Sequence, residues 1–344
     1  MSRCVRAKSP LRLGLAGGGT DVSPYSELYG GQVLNATISL FTYCNITPAD
    51  DGFCEFYAGD ADLRERVPAD AAMPVDGTLM LHRAVYRRMT SDFLAGSAPA
   101  VRVTTFSDAP PGSGVGSSSS LVVAMVQAFA EYFDIALGEY DLAHLAFQIE
   151  RVDCGLAGGK QDHYAAAFGG FNFIEFGATD RVIVNPLRIK PEVVNDLEAG
   201  LLLYYTGRSR DSARIIDAQI RATADADSPA LLAMHQLKAS ALVMKEALLR
   251  GRVQEVLAGL GRGWDVKKQA ASAISNPFLE EIAEAAFALG ASGLKVSGAG
   301  GGGFMMITVG PERRFALMRG FEHFGGRFYP FSFTERGAQS WKAA

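Results

Sequence analysis

The sequence has no lysine where a Walker-type phosphate loop would need one. That pattern is G-x-x-x-x-G-K-[ST], and no segment of the 344 residues fits it. Excess positive charge is missing too. Thirty-three Lys and Arg stand against 37 Asp and Glu, a formal net charge of −4. Such a chain carries no overall basic field for nucleic acid, although a phosphate site can be locally positive on an acidic protein. Long apolar runs are absent as well. No stretch approaches the roughly 18 uninterrupted apolar residues of a membrane span, and no apolar core follows the basic opening Arg3 to Lys8 as in a secretion signal. These absences predict a cytoplasmic protein with neither membrane nor nucleic-acid partners. Cysteine is scarce. Cys4, Cys44, Cys54 and Cys154 form no C-x-x-C pair and match no zinc spacing, so reduced, mostly packed thiols are expected.

What the chain does have is apolar material and glycine. A hydrophobic content of 48% gives ample apolar material for a buried core, and a length of 344 residues suggests two domains, divided where Gly, Asp, Asn and Pro interrupt the pattern at 178–195. We place the domains at 1–185 and 186–344. The glycines collect in three loops. The central one is Pro110-Pro111-Gly112-Ser113-Gly114-Val115-Gly116-Ser117-Ser118-Ser119-Ser120, which runs into the apolar helix pattern of Leu121 to Val126. Glycines let backbone N–H groups close around an anion, and a helix N-terminus behind them adds the positive end of its dipole. Serine hydroxyls can bond phosphate or ligate Mg²⁺. A flexible Gly/Ser linker is the alternative, but a linker is not normally followed at once by a helix start.

Alternation predicts strands over 3–16, 31–47, 53–57, 101–106, 170–176 and 201–205. Helices are expected over 76–94, 117–133, 140–152 and 162–167, and most of 208–290 is helical in pattern. The third loop, Gly298 to Gly303, matches G-x-G-x-x-G. A β-branched run, Phe304 to Val309, follows it instead of a helix, so a dinucleotide fold is excluded on context. This loop is expected to bring one backbone close to another loop or to a phosphate.

Three motifs in this order are Pro10-Leu11-Arg12 leading to Gly17-Gly18-Gly19-Thr20-Asp21, the Pro110–Ser120 loop, and Lys295–Gly303. Together they resemble the GHMP small-molecule kinases over essentially the whole chain. The first motif, with Gly30 to Ile38 and Tyr205-Thr206-Gly207, is similar to the branch that phosphorylates sugars at the anomeric carbon. The D-glycero-D-manno-heptose 7-phosphate kinases within it match best, and fucose kinases share parts of the pattern. The resemblance implies an α+β, two-layer α/β fold in two domains. The first would be ribosomal-protein-S5-domain-2-like with a left-handed βαβ unit, and the second ferredoxin-like with an antiparallel sheet. The site would lie in the cleft between them.

It also implies roles. Pro111, Gly112, Ser113, Gly114, Val115, Gly116, Ser117, Ser118 and Ser119 would hold ATP. Ser118 and Glu150 would ligate Mg²⁺. Asp162 would be the catalytic base and Arg12 its electrostatic partner. Gly18, Gly19, Thr20 and Asp21 would bind the sugar, with Gly300 and Gly301 beside it. Lys160 or Arg208 would meet the phosphate of a sugar phosphate. A helix N-cap is the alternative reading of Asp162, compatible with a catalytic one, and a turn-stabilising aspartate is the alternative for Asp21; His163 reads as structural, with no partner histidines at metal-ligand spacing. The expected partners are ATP and a sugar phosphate, with a homodimer left open.

Overall fold

The computed structural model describes residues 4–208, 212–223, 225 and 227–343. In chain order the first half is β1 (Cys4–Ala16), α1 (Tyr25–Tyr29), β2 (Gly31–Pro48), β3 (Phe53–Ala58), β4 (Leu63–Pro68), α2 (Met80–Phe93), β5 (Val101–Ser107), α3 (Ser117–Tyr132), α4 (Glu139–Phe147), α5 (Gln161–Phe168), β6 (Phe171–Phe176) and β7 (Val182–Leu187). The second half is α6 (Pro191–Gly200), β8 (Leu201–Tyr205), α7 (Ser212–Ala222), α8 (Pro229–Leu249), α9 (Val253–Lys268), α10 (Pro277–Ala288), β9 (Ala291–Val296), β10 (Phe304–Val309), α11 (Arg314–Gly320), β11 (Arg327–Tyr329) and β12 (Gln339–Ala343). Among the described residues, no helix is long and apolar enough to cross a membrane. The four cysteines are free thiols, with Cys44 and Cys54 buried.

The strands form two sheets. The larger runs β12-β1-β2-β5-β3-β4, and β6 pairs with β2 and carries β7. Its pairs are antiparallel except β3 with β5, which is parallel. The smaller sheet, β11-β8-β10-β9, is antiparallel throughout. The long strand β2 explains how the halves join. Its residues Val33 to Ile38 are buried on both faces, whereas Phe41, Tyr43 and Asn45 lie on a partly open face. One side of the buried part packs on α3 and its neighbours. The other side belongs to a cluster that joins Leu11, Leu13, Leu34 and Ile38 to Leu201, Leu203, Met244, Leu260, Phe304 and Met306. That continuous apolar core buries surface from both sheets at once, and removal of this area from water holds the cleft walls together.

The expected division at 185/186 needs correction. It falls inside β7, which pairs along its length with β6 of the larger sheet. The C-terminal β12 also returns to pair with β1. The chain therefore leaves the first sheet after Leu187 and comes back to it at the end.

Candidate active site

The site is a cleft of about 270 Å³ lined from both halves of the chain. Its floor is the central glycine loop. Gly112, Gly114 and Gly116 hold φ of 70°, 82° and 79°, where any other residue would be strained. Gly116 is the cap residue of α3, and no side chain caps that helix. The first N–H groups of α3 and the positive end of its dipole thus face the cleft, an arrangement suited to an anion. Gly112, Gly114, Gly116, Ser117, Ser118 and Ser119 line it. Ser113 and Val115 are buried behind the loop, and Pro111 is exposed at its start.

The third glycine loop clamps this floor, as its composition led us to expect. Phe304 N–H donates to the Ser113 carbonyl at 2.8 Å. A Cβ on Gly298 would lie 2.6 Å from the Gly114 carbonyl oxygen, and Gly298 has φ of 72°. Only glycine permits so close a contact between the two backbones. Gly300 and Gly301 lie elsewhere. Gly301 N–H donates to the Ile274 carbonyl, and its own carbonyl accepts from Asn276, so both glycines pack against residues 272–276 and do not line the cleft. Gly298 and Ala299 are the members of that loop that line it.

Arg12 and Asp162 come together across 150 positions. Arg12 Nε donates to Asp162 Oδ1 at 2.6 Å, and Nη2 lies 2.6 Å from the same oxygen. Arg12 Nη1 donates to the Gly114 carbonyl at 3.0 Å and to Ser297 Oγ at 3.3 Å. One buried guanidinium thus ties β1 to the glycine loop, to α5 and to the end of β9. Asp162 keeps some exposure toward the cleft and stands in the first turn of α5, where the helix dipole favours a carboxylate.

Glu150 sits in a single π-helical turn, Gln148–Asp153, that follows α4. Its carboxylate is almost fully buried. Oε1 accepts from Ser118 Oγ at 2.6 Å. Oε2 accepts from Ser119 Oγ at 2.6 Å and lies 2.6 Å from His163 Nε2, with Arg151 Nη2 at 3.3 Å. Burial alone would raise its pKa, but Arg151, His163 and Ser118 outweigh burial and hold the carboxyl down to about 2. His163 is therefore a buried partner of Glu150. Among the described residues no three His, Cys, Asp or Glu side chains cluster to hold a metal by themselves. One carboxylate and one hydroxyl at an uncapped helix start still suit Mg²⁺, which takes one or two protein oxygens, several waters and substrate phosphates. The donor set fits that ion.

At the acceptor end, Asp21 is buried. Its Oδ2 accepts from Gln161 N–H at 3.0 Å, and its Oδ1 from Gln161 Nε2 at 2.9 Å and Gly19 N–H at 3.2 Å. Burial raises its pKa, and the nearby Asp162 adds to the rise. Gly19 and Asp21 line the cleft. Thr20 is fully buried and bonds the Gly17 and Gln32 carbonyls, which makes it a brace for the turn.

The two basic candidates stand away from the cleft lining. Lys160 Nζ lies 2.7 Å from Asp180 and 3.4 Å from Glu27. Arg208 is exposed, with its guanidinium 3.6 Å over the Phe278 ring. Residues that sequence reasoning passed over stand at the site instead. Lys267 and Gln219 line it from α9 and α7, and Gln161 from α5. Lys295 Nζ is buried beneath, donating to the Gly14 and Leu15 carbonyls at 2.7 Å each. Burial, with Lys267 and Arg12 nearby, drives its pKa well down. Lys295 and Ser297 lie in the third motif and were readable there. Lys267 gave no signal among the many lysines of a helical stretch.

This is the geometry of a small-molecule phosphotransferase without a Walker lysine. The chain belongs to the GHMP kinases. Residues 80–170 match the family model described as GHMP kinases N terminal domain, and 244–319 match GHMP kinases C terminal. It is 43% identical over 340 residues to D-glycero-alpha-D-manno-heptose 7-phosphate kinase of Campylobacter jejuni, which covers 99% of each chain. The crystal structure of a D-glycero-D-manno-heptose 1-phosphate kinase from Bacteroides thetaiotaomicron superposes with a TM-score of 0.84 at 42% identity, again over 99% of each chain. Galactokinase of Lactococcus lactis shares the fold, at TM-score 0.73 and 17% identity over 99% of this chain and 95% of its own.

Proposed function

We propose that the protein transfers the γ-phosphoryl group of ATP to the anomeric hydroxyl of D-glycero-D-manno-heptose 7-phosphate. The products would be the 1,7-bisphosphate and ADP, made in the cytoplasm for nucleotide-activated heptose and surface polysaccharide. The observation that carries this reading is the Arg12–Asp162 pair set against the uncapped start of α3. A phosphoryl group on the glycine loop and a hydroxyl beside Asp162 would face each other there.

The chain's groups divide the work. N–H groups of the loop and of α3 hold the phosphates and lower the cost of their charge. Ser118 and Glu150 would hold Mg²⁺, which when bound with ATP neutralises charge on the phosphates. Asp162 accepts the proton of the C1 hydroxyl as that oxygen bonds to the γ-phosphorus and the bridging bond to ADP breaks. Arg12 fixes the direction of the Asp162 carboxylate and places positive charge beside the transferred group. Asp21, braced by Gln161, accepts hydrogen bonds from the ring hydroxyls.

The support is the cluster just described, together with the full-length similarity to a heptose 7-phosphate kinase. The test is a panel of heptose 7-phosphate, mannose, mannose 6-phosphate and fucose with ATP and Mg²⁺, read by ADP release. The heptose phosphate should give the highest kcat/KM by at least tenfold. Equal rates with mannose or fucose would reject the acceptor, and no transfer to any sugar would reject the reaction.

A further inference from the structure

We infer that Arg151 is a positioning residue: its guanidinium seats the 155–159 loop against Asp21, so that the acceptor wall of the cleft is held from the phosphate end. This rests on the proposed reaction, with the acceptor at Asp21 and ATP on the central glycine loop.

Consecutive residues of an α-helix point in different directions and do not face each other. In the π-helical turn Gln148–Asp153 two of them converge. Glu150 Oε2 accepts from Ser119 Oγ at 2.6 Å, and Arg151 Nη2 donates to the same hydroxyl at 3.1 Å. Nη2 also lies 3.3 Å from Glu150 Oε2. One end of the guanidinium is therefore fixed on the first turn of α3. The other end turns to the loop. Nη1 donates to the Leu156 and Ala157 carbonyls at 3.4 and 3.3 Å. The Arg151 side chain is only 14% exposed although it lines the cleft. A planar fork that bonds at both ends is what arginine supplies and lysine does not.

The loop is shaped to lie between that guanidinium and Asp21. Gly158 and Gly159 both have φ outside the left-handed region, so backbone conformation does not demand glycine at either. Contact does. A Cβ on Gly158 would run into Arg151 Cζ, and a Cβ on Gly159 into the Asp21 carboxylate. Both glycines line the cleft. Gln161 N–H, two residues on, donates to Asp21 Oδ2 at 3.0 Å, and Asp162 follows. The loop thus runs from the groups at the phosphate end to the acid that would hold the sugar and the base that would take its proton. Without side chains at 158 and 159 the segment has little packing of its own, and the charged hydrogen bonds from Arg151 set where it lies.

The test measures KM for heptose 7-phosphate, KM for ATP and amide hydrogen exchange at 155–161 in wild type, Arg151→Met, Arg151→Lys and Gly158→Ala. R151M should raise KM of the sugar and lower its kcat/KM by about ten- to a hundred-fold, the size expected when a reactant is displaced by about 1 Å. Exchange, read with neither nucleotide nor sugar present, should quicken at 155–161 in R151M. R151K should restore neither, because an ammonium keeps the charge beside Glu150 but cannot bond at both ends. G158A leaves Arg151 and Glu150 in place and adds no backbone strain. It should raise KM of the sugar with KM for ATP nearly unchanged. A sugar KM unchanged in folded R151M, or in G158A, overturns the assignment. So does loop exchange unaltered in R151M, or a defect confined to KM for ATP. Full rescue by R151K overturns it too, since Arg151 would then be only a counter-charge for Glu150. A wild-type enzyme that phosphorylates no sugar rejects the reaction itself, which separates that failure from failure of Arg151 alone.

Discussion

Replacing Glu150 with Gln should unmask how much a buried carboxylate contributes to holding the cleft wall. In the folded protein the group's pKa lies near 2, against an ordinary value of 4.5. The folded state therefore binds fewer protons than the unfolded chain between those limits. The resulting stabilisation is complete above about pH 4.5 and is lost as pH falls toward 2. At about 1.4 kcal/mol per tenfold in acidity, the gap corresponds to about 3 kcal/mol at pH 7. Glu150→Gln removes the charge that Arg151 and His163 face but keeps the side chain's size. The variant should be about 3 kcal/mol less stable to urea at pH 7. The difference should shrink by about half near pH 3, because wild type loses its advantage there and the amide has none to lose. The assay is urea unfolding followed by fluorescence at steps from pH 7 to pH 3. A difference below about 1 kcal/mol at pH 7 would refute the reasoning, as would one that stays constant across the acid range.

Asp162→Asn should leave ATP binding nearly intact and lower kcat by about 10²–10⁴-fold, the usual contribution of a general base; steady-state kinetics with a nucleotide titration decides, and wild-type turnover would reject the role. Ser118→Ala should raise the Mg²⁺ concentration for half-maximal activity, with partial rescue by excess Mg²⁺, because one oxygen ligand is lost; an unchanged half-saturation would place the ion elsewhere. Gly298→Ala should raise KM for ATP and lower thermal stability. Its Cβ would press on the Gly114 carbonyl at 2.6 Å, and its positive φ adds about 1–2 kcal/mol of strain. Unaltered melting and KM would mean that the loops are not clamped there.

Much of this protein is local and therefore legible in the chain. The alternation in β1, β2 and β5 and the glycine-serine run before α3 each follow from backbone preference and side-chain period over a few residues. So does the position of Asp162 at the start of α5. The strands β4, β7, β11 and β12 were not read, and neither were α1, α6 and α11. They are short or mostly polar at the surface, and β12 exists because β1 offers it an edge. The domain division also escaped, since pairing between residues 4–8 and 339–343 leaves no trace in either segment alone. The site divides the same way. The residues that bind by backbone, or that stand at a helix start, could be named from sequence. A salt bridge from Arg12 to Asp162, a histidine beneath Glu150, and a lysine of α9 beside Gly18 could not. A side chain's partner across 150 or 250 positions is set by how the sheets and helices pack. Lys160 shows the converse, a basic residue in an apt loop whose charge the fold directs to Asp180 and Glu27. Sequence determined which chemical groups were available and which local shapes could present them. Tertiary packing decided which groups meet, because electrostatic and hydrogen-bond partners act over a few ångströms while the chain positions that supply them lie 13 apart for Glu150 and His163 and 150 apart for Arg12 and Asp162.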